Sequence, residues 1–129
     1  MKIFHIPVLY KEIIENLYIT SSITNVVDCT LGEGGITKQI LDEVENVKII
    51  GIDTDLSILN IAKKRLKSYE NIEFVHENYK NINSIKNICN TNVHNIIFDL
   101  GLSNFHLRDL NKAFSFDSSN RLDMRFDNS

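Results

Sequence analysis

The sequence predicts an α/β protein built on a parallel sheet of four strands joined by crossover helices. Three observations carry that prediction. Apolar residues switch repeatedly between helical spacing and short β-branched runs, the pattern of strands linked by helices. One run, Val47 to Asp53 (VKIIGID), is apolar almost throughout, as a strand covered on both faces must be. Every strand end carries polar or glycine residues: Asp28 and the glycines after it, Asp53, His76 to Tyr79, and Asp99. Open parallel sheets bind ligands outside the carboxyl ends of their strands, so four strand ends direct chemistry at one edge.

The elements follow in order. Val8 to Leu17 reads as a short amphipathic helix, with Leu9, Ile13, Ile14 and Leu17 on one stripe and Pro7 suited to its start. Asn25 to Cys29 is a β run that ends in the glycine loop Leu31-Gly32-Glu33-Gly34-Gly35. Ile36 to Val44 is helical, apolar at Ile36, Ile40, Leu41 and Val44. After the second strand, Leu56 to Leu66 forms a helix apolar at Leu59, Ile61, Ala62 and Leu66. Lys63, Lys64, Arg65 and Lys67 stand toward its end, where cations complement the helix dipole. Ile72 to His76 is the third strand, Ile82 to Cys89 a weaker helix, and Asn95 to Leu100 (NIIFDL) the fourth strand. From Gly101 to Ser129 the periodicity fades, although Phe105, Phe114, Phe116, Arg108, Arg121 and Arg125 fall there. So long an unpatterned stretch reads as a functional loop or as the start of something longer.

Composition narrows the function classes. A chain of 129 residues, 43% apolar and 24% charged, is expected to fold as one domain. A net charge of −3 excludes a basic domain that coats nucleic acid by charge alone, and leaves a local nucleic-acid site open. No apolar run approaches the roughly 18 residues of a membrane helix, and MKIFHIPVLYKE lacks the apolar core of a signal peptide. A cytoplasmic protein without a membrane partner is expected. Cys29 and Cys89 make no disulfide framework and have no neighbours at zinc-ligand spacing. Both read as small buried hydrophobes in a reducing compartment, with no metal.

The segment DCTLGEGG, Asp28 to Gly35, lies between the first strand and the next helix. Its glycines allow a tight turn and close approach of a ligand to the main chain. Asp53 stands about 20 residues after Gly32, where an acidic residue accepts the ribose hydroxyls of an adenosine-containing cofactor. Asp53 could instead cap the following helix, but Asp55 is placed to do that. Glu33 would repel a pyrophosphate at this loop. A cofactor with a sulfonium and an ammonium group and no phosphate, S-adenosylmethionine, suits the acidic strand ends Asp28, Asp53 and Asp99 better.

On these residues the chain resembles the bacterial 16S rRNA (cytosine-N4)-methyltransferase family. The resemblance runs from His5-Ile6-Pro7-Val8-Leu9 to Leu122-Asp123-Met124-Arg125 and includes D-x-T-L-G-x-G-G at Asp28 to Gly35, G-I-D-x-D at Gly51 to Asp55, D-L-G-x-S at Asp99 to Ser103, and F-S-F at Phe114 to Phe116. The order and spacing of the series are specific, although single motifs are not. It implies a Rossmann-like class I S-adenosylmethionine-dependent methyltransferase sheet, of which the first four strands are expected here. Residues 1–107 would form the N-terminal part of the cofactor domain, and residues 108–129 a loop leading into a substrate-recognition domain in a missing C-terminal half. The implied reaction is methylation of N4 of a decoding-centre (P-site) cytosine in 16S rRNA, with the small ribosomal subunit as partner.

The family's cofactor site falls on Gly34, Gly35, Ile36, Asp53, Tyr79, Asp99 and His106, with Tyr79 along the adenine. Asp99 would also be the catalytic acceptor for the target amine. Phe105, Phe114 and Phe116 are candidates to stack on a splayed base. The chain departs from the family pattern in places: Ile36 replaces His, which is tolerable if its contact is through the backbone; Tyr79 stands where the family usually has Phe; His106 replaces Gln; and Ala113 replaces Gly. Two other readings stand beside this one: a truncated cofactor-binding remnant without activity, and a nicotinamide-binding Rossmann protein. Thermal-shift measurements separate the last: S-adenosylmethionine is expected to raise the melting temperature and NAD to leave it unchanged, and the reverse would sink the methyltransferase reading.

Overall fold

The computed structural model describes residues 7–102 and Arg125. The chain divides into two compact units, Met1–Asp99 and Leu100–Ser129. In the second, the described residues Leu100, Gly101, Leu102 and Arg125 are exposed.

The first unit contains one four-stranded sheet. Its strands are β1 (Thr24–Asp28), β2 (Val47–Asp53), β3 (Ile72–His76) and β4 (Asn95–Ile97), in the spatial order β3-β2-β1-β4 with every pair parallel. Asp28 lies opposite Gly51 on one side and Ile97 on the other, and Asp53 lies opposite His76. The chain thus moves outward from β1 to β3, then returns past β1 to lay down β4. Crossovers between parallel strands are right-handed, so the first two connections cover one face and the third covers the other. The point where the order reverses, between β1 and β4, is where such sheets bind ligands.

The helices are α1 (Tyr10–Glu15), α2 (Gly35–Glu43), α3 (Leu56–Arg65) and α4 (Lys86–Cys89), with a 3-10 segment over Tyr79–Ser84. On one face, Val26, Val47, Ile49 and Ile97 of the sheet pack with Ile36 and Ile40 of α2, and Ile13, Ile14 and Leu17 close over them. Leu31, Leu59 and Ala62 form a second cluster beside Phe74. The other face buries Val27, Cys29, Ile50, Ile52 and Ile85. β2 therefore fills both faces, which is why its sequence shows no polar alternation.

Several elements differ from the sequence reading. α1 begins at Tyr10; Leu9 is its N-terminal flanking residue, has no capping side chain, and is exposed with Val8. In α3 the fully buried set is Ile58, Leu59 and Ala62, joined by the C-cap residue Leu66, while Ile61 is half-buried. The third crossover is two pieces, not one helix. Asn78 caps the 3-10 segment through Lys80 N–H (2.9 Å), and Ile85, extended at φ −76° and ψ 108°, interrupts before α4 while burying its side chain. β4 ends at Ile97 because the Asp99 amide turns to a side chain of the β1 loop. Cys29 is buried, and burial pushes its thiol up to about 11. Cys89 is exposed, against the expectation, and its thiol donates to the Asn83 carbonyl at 3.1 Å. Among the described residues no helix is long and apolar enough to cross a membrane.

The α3 stripe has a measurable consequence. Ile58→Ala should cost roughly 2–5 kcal/mol in urea denaturation, and Ile61→Ala less than half of that.

Candidate functional site

The site is built where β1 ends. After Asp28 the chain turns through Cys29 to Gly34 and enters α2 at Gly35. Gly34 is left-handed, at φ 74° and ψ 31°, and a Cβ there would come within 2.7 Å of Leu66 Cδ1. The left-handed conformation therefore calls for glycine, and Leu66 at the end of α3 leaves little room for a side chain. The loop is held at its ends by main-chain bonds from Leu31 N–H to the Ile52 carbonyl (3.0 Å) and from Gly34 N–H to the Leu31 carbonyl (2.8 Å).

Carboxylates hold it further. Asp28 Oδ2 accepts the Thr37 hydroxyl at 2.7 Å, and Oδ1 accepts Thr30 N–H at 3.2 Å. Asp53 Oδ2 accepts Gly32 N–H at 2.8 Å and Oδ1 accepts Asp55 N–H at 2.9 Å. Asp55 caps α3 by accepting from Ser57 N–H (2.9 Å) and Ile58 N–H (3.4 Å). The helix cap thus falls to Asp55, and Asp53 instead ties the glycine loop to the end of β2 while staying half-exposed. The Arg65 guanidinium donates to the Glu33 carbonyl at 3.3 Å, bracing the loop from α3.

Ile36 belongs to the core with Val26, Ile40 and Ile97. Its side chain is buried in that cluster, which leaves its backbone to a ligand. Gly34 supplies no capping side chain, and the first-turn amides of Gly35, Ile36 and Thr37 have no acceptor within the helix. Such amides favour an anionic group.

Asp99 is exposed, and its N–H donates to Thr30 Oγ1 at 2.7 Å. Tyr79, at the start of the third crossover, is 39% exposed and meets the Phe98 ring edge-to-face at 5.4 Å. The structure therefore gathers Gly34, Gly35, Ile36, Asp53 and Asp99 around the loop, and pairs Tyr79 with the residue before Asp99. His106, Phe105, Phe114, Phe116, Arg121 and Ala113 lie outside the described residues. Among the described residues no group of three His, Cys, Asp or Glu could hold a metal.

Sequence reasoning missed Thr30, Thr37 and Phe98. Thr37 carried a usable signal: a hydroxyl in the first turn of a helix, otherwise apolar on its inner face, that follows an acidic strand end. Phe98 had none, because its partner lies on a different crossover.

A parallel sheet ordered β3-β2-β1-β4, with a glycine loop after β1 and an acid after β2, defines a Rossmann-like sheet. Solved structures agree on the fold. An rRNA methylase from Streptococcus thermophilus aligns at TM-score 0.56 and 23% identity, over 71% of this chain and 52% of that one. A Streptococcus mutans protein solved in complex with SAH aligns at TM-score 0.59 and 17% identity, over 74% and 51%. Residues 2–129 match the MraW methylase family. Ribosomal RNA small subunit methyltransferase H of Clostridium botulinum is 44% identical over 127 residues, 97% of this chain and 41% of the relative. The protein of that name from Thermotoga neapolitana is 36% identical over 126 residues, 96% of this chain and 42% of the relative. The chain belongs to the MraW methylase family, and it spans about two-fifths of the length of these relatives.

Burial raises the Asp28 carboxyl from its ordinary 3.8 to about 6; the bonds from Thr37 and Thr30 oppose this, and the negative neighbours Asp53 and Asp99 add to it. A carboxyl raised on folding favours its neutral form in the native state. Its stabilising contribution is full below pH 4 and is lost as pH rises through 6, an amount on the order of 3 kcal/mol. Asp28→Asn should abolish this component. The stability difference between wild type and variant, measured by urea denaturation, should therefore change by that order between pH 4 and pH 7.

Proposed function

We propose that this protein transfers a methyl group from S-adenosylmethionine to the exocyclic N4 amine of a P-site cytosine in 16S rRNA of the small ribosomal subunit. The observation that carries the reading is the glycine loop of a MraW-family chain, tied by Asp53 to the end of β2 and facing the β1–β4 switch point.

The residues present fit this cofactor by their donor set. Asp53 accepts two amides and keeps lone pairs for ribose hydroxyls, since each carboxylate oxygen takes more than one hydrogen bond. The uncapped first turn of α2 suits a carboxylate. The exposed Tyr79 ring offers a face to adenine, held in orientation by Phe98. S-adenosylmethionine, when bound, supplies an electrophilic methyl group on a positive sulfur.

The protein's part is positioning. The N4 lone pair of cytosine is delocalised into the ring, so the amine is a poor nucleophile. Asp99 accepts a hydrogen bond from it, which orients the lone pair toward the methyl carbon and supports the charge that develops on nitrogen. S-adenosylmethionine would supply the methyl group there, and the proton that the N4 amine gives up would pass to the Asp99 carboxylate. Small ribosomal subunits from cells lacking the methylase are the substrate to use.

Asp53→Ala should weaken S-adenosylmethionine binding in titration calorimetry at least about tenfold, as expected for a charge-assisted bond of roughly 1.5–3 kcal/mol. Asp99→Ala should lower methyl transfer about a hundredfold or more. Wild-type values for both variants would refute the assignment.

A further inference from the structure

The hydroxyl of Thr30 joins two parts of the carboxyl edge that strand pairing does not. The ladder between β1 and β4 ends with Cys29 N–H donating to the Ile97 carbonyl at 3.0 Å. One step on, the partner of the Asp99 amide is Thr30 Oγ1, at 2.7 Å and 69 residues away in sequence. Thr30 is itself fixed, because its own N–H donates to Asp28 Oδ1 at 3.2 Å, and Asp28 Oδ2 accepts the Thr37 hydroxyl of α2. A continuous chain of hydrogen bonds thus runs from the first turn of α2, through Asp28 and Thr30, to the main chain of Asp99.

We infer that Thr30 is a positioning residue for methyl transfer, its hydroxyl fixing the Asp99 main chain, and so the Asp99 carboxylate, relative to the glycine loop. The inference rests on the reading of Asp99 as acceptor for the target amine. Asp99 is exposed, and water can replace the lost acceptor at its amide. Removing the hydroxyl therefore leaves the fold intact and loosens the position. A misplaced acceptor lowers turnover without weakening a cofactor bound elsewhere on the loop.

The test compares Thr30→Val, of nearly the same shape, with Thr30→Ser, which keeps the hydroxyl. It uses the polypeptide as the cell makes it, with S-adenosylmethionine and unmethylated small ribosomal subunits. Thr30→Val should speed hydrogen exchange at the Asp99 amide about tenfold and leave the Cys29 amide unchanged. It should lower kcat about tenfold while the S-adenosylmethionine Kd stays within about twofold. Thr30→Ser should restore both. Unchanged exchange at Asp99, a fall in affinity matching the fall in turnover, or failure of serine to restore would each overturn the inference. Asp99→Ala keeps the amide and removes the carboxylate. If it leaves turnover unchanged, the assignment of Asp99 fails, and with it the role given to Thr30. If wild type transfers no methyl group, the proposed reaction fails, and the exchange measurement still decides whether Thr30 holds Asp99.

Discussion

The Asp28 carboxyl is 2% exposed between the end of β1 and the first turn of α2, with one oxygen on Thr37 and the other on Thr30. A buried carboxyl is tolerated only when its oxygens are partnered, and here the partners are the groups that must be placed. Thr37 sets the pitch of α2 against β1, and with it the direction of the amides of Gly35 and Ile36. Thr30 sets the path of the chain leaving β1 and gives the Asp99 amide its acceptor. Replacing Asp28 by an apolar residue would leave a hydroxyl and an amide without acceptors, a loss of about 1–3 kcal/mol for each buried group. The loop would then have no fixed relation to the helix it opens.

The parts of the fold that the sequence revealed are those whose boundaries are decided locally. β2 and β3 run as read, Val47–Asp53 and Ile72–His76: β2, between two strands, carries its burial in its own residues, and β3, at the edge, keeps a short half-buried β-branched and aromatic run. The division of labour between Asp53 and Asp55 was legible for a similar reason: helix capping is a short-range rule. The remaining boundaries depend on partners far away in the chain. β4 stops at Ile97 because a threonine 69 residues earlier takes the next amide. The third crossover breaks at Ile85 because burying that side chain beneath the sheet fixes an extended residue between two short helical pieces. Periodicity sees none of this, and it placed Ile61 on a buried stripe that Ile58 occupies.

The candidate site divides along the same line. The glycine loop and Asp53 could be read from residue type and spacing. The Tyr79–Phe98 contact could not, since it joins the start of the third crossover to the residue after β4, where that crossover has delivered the chain. Ile36 is instructive in both respects. Its packing with Val26, Ile40 and Ile97 explains why a large apolar residue is accommodated beside a ligand loop: the side chain serves the core and leaves only its amide to the site.

The strand register gives the site a shape. Asp28 ends β1 level with Gly51 and Ile97, while Asp53 and Asp99 each stand two residues further along the neighbouring chains. The chain leaving β1 stays between them, with Cys29 N–H on the Ile97 carbonyl and Leu31 N–H on the Ile52 carbonyl, so the two acids flank the start of the glycine loop. With one strand between them, β2 and β4 run about 10 Å apart, twice the spacing of paired strands. Up to Ile97 that spacing belongs to the hydrogen-bonded backbone, and beyond it the Thr30 hydroxyl carries it on to Asp99. Substituting the Asp99 side chain therefore changes the chemistry on one flank and leaves the strand spacing as it was, whereas substituting Asp53 also releases the glycine loop. The sheet itself acts as a gauge that limits the size of whatever lies across it.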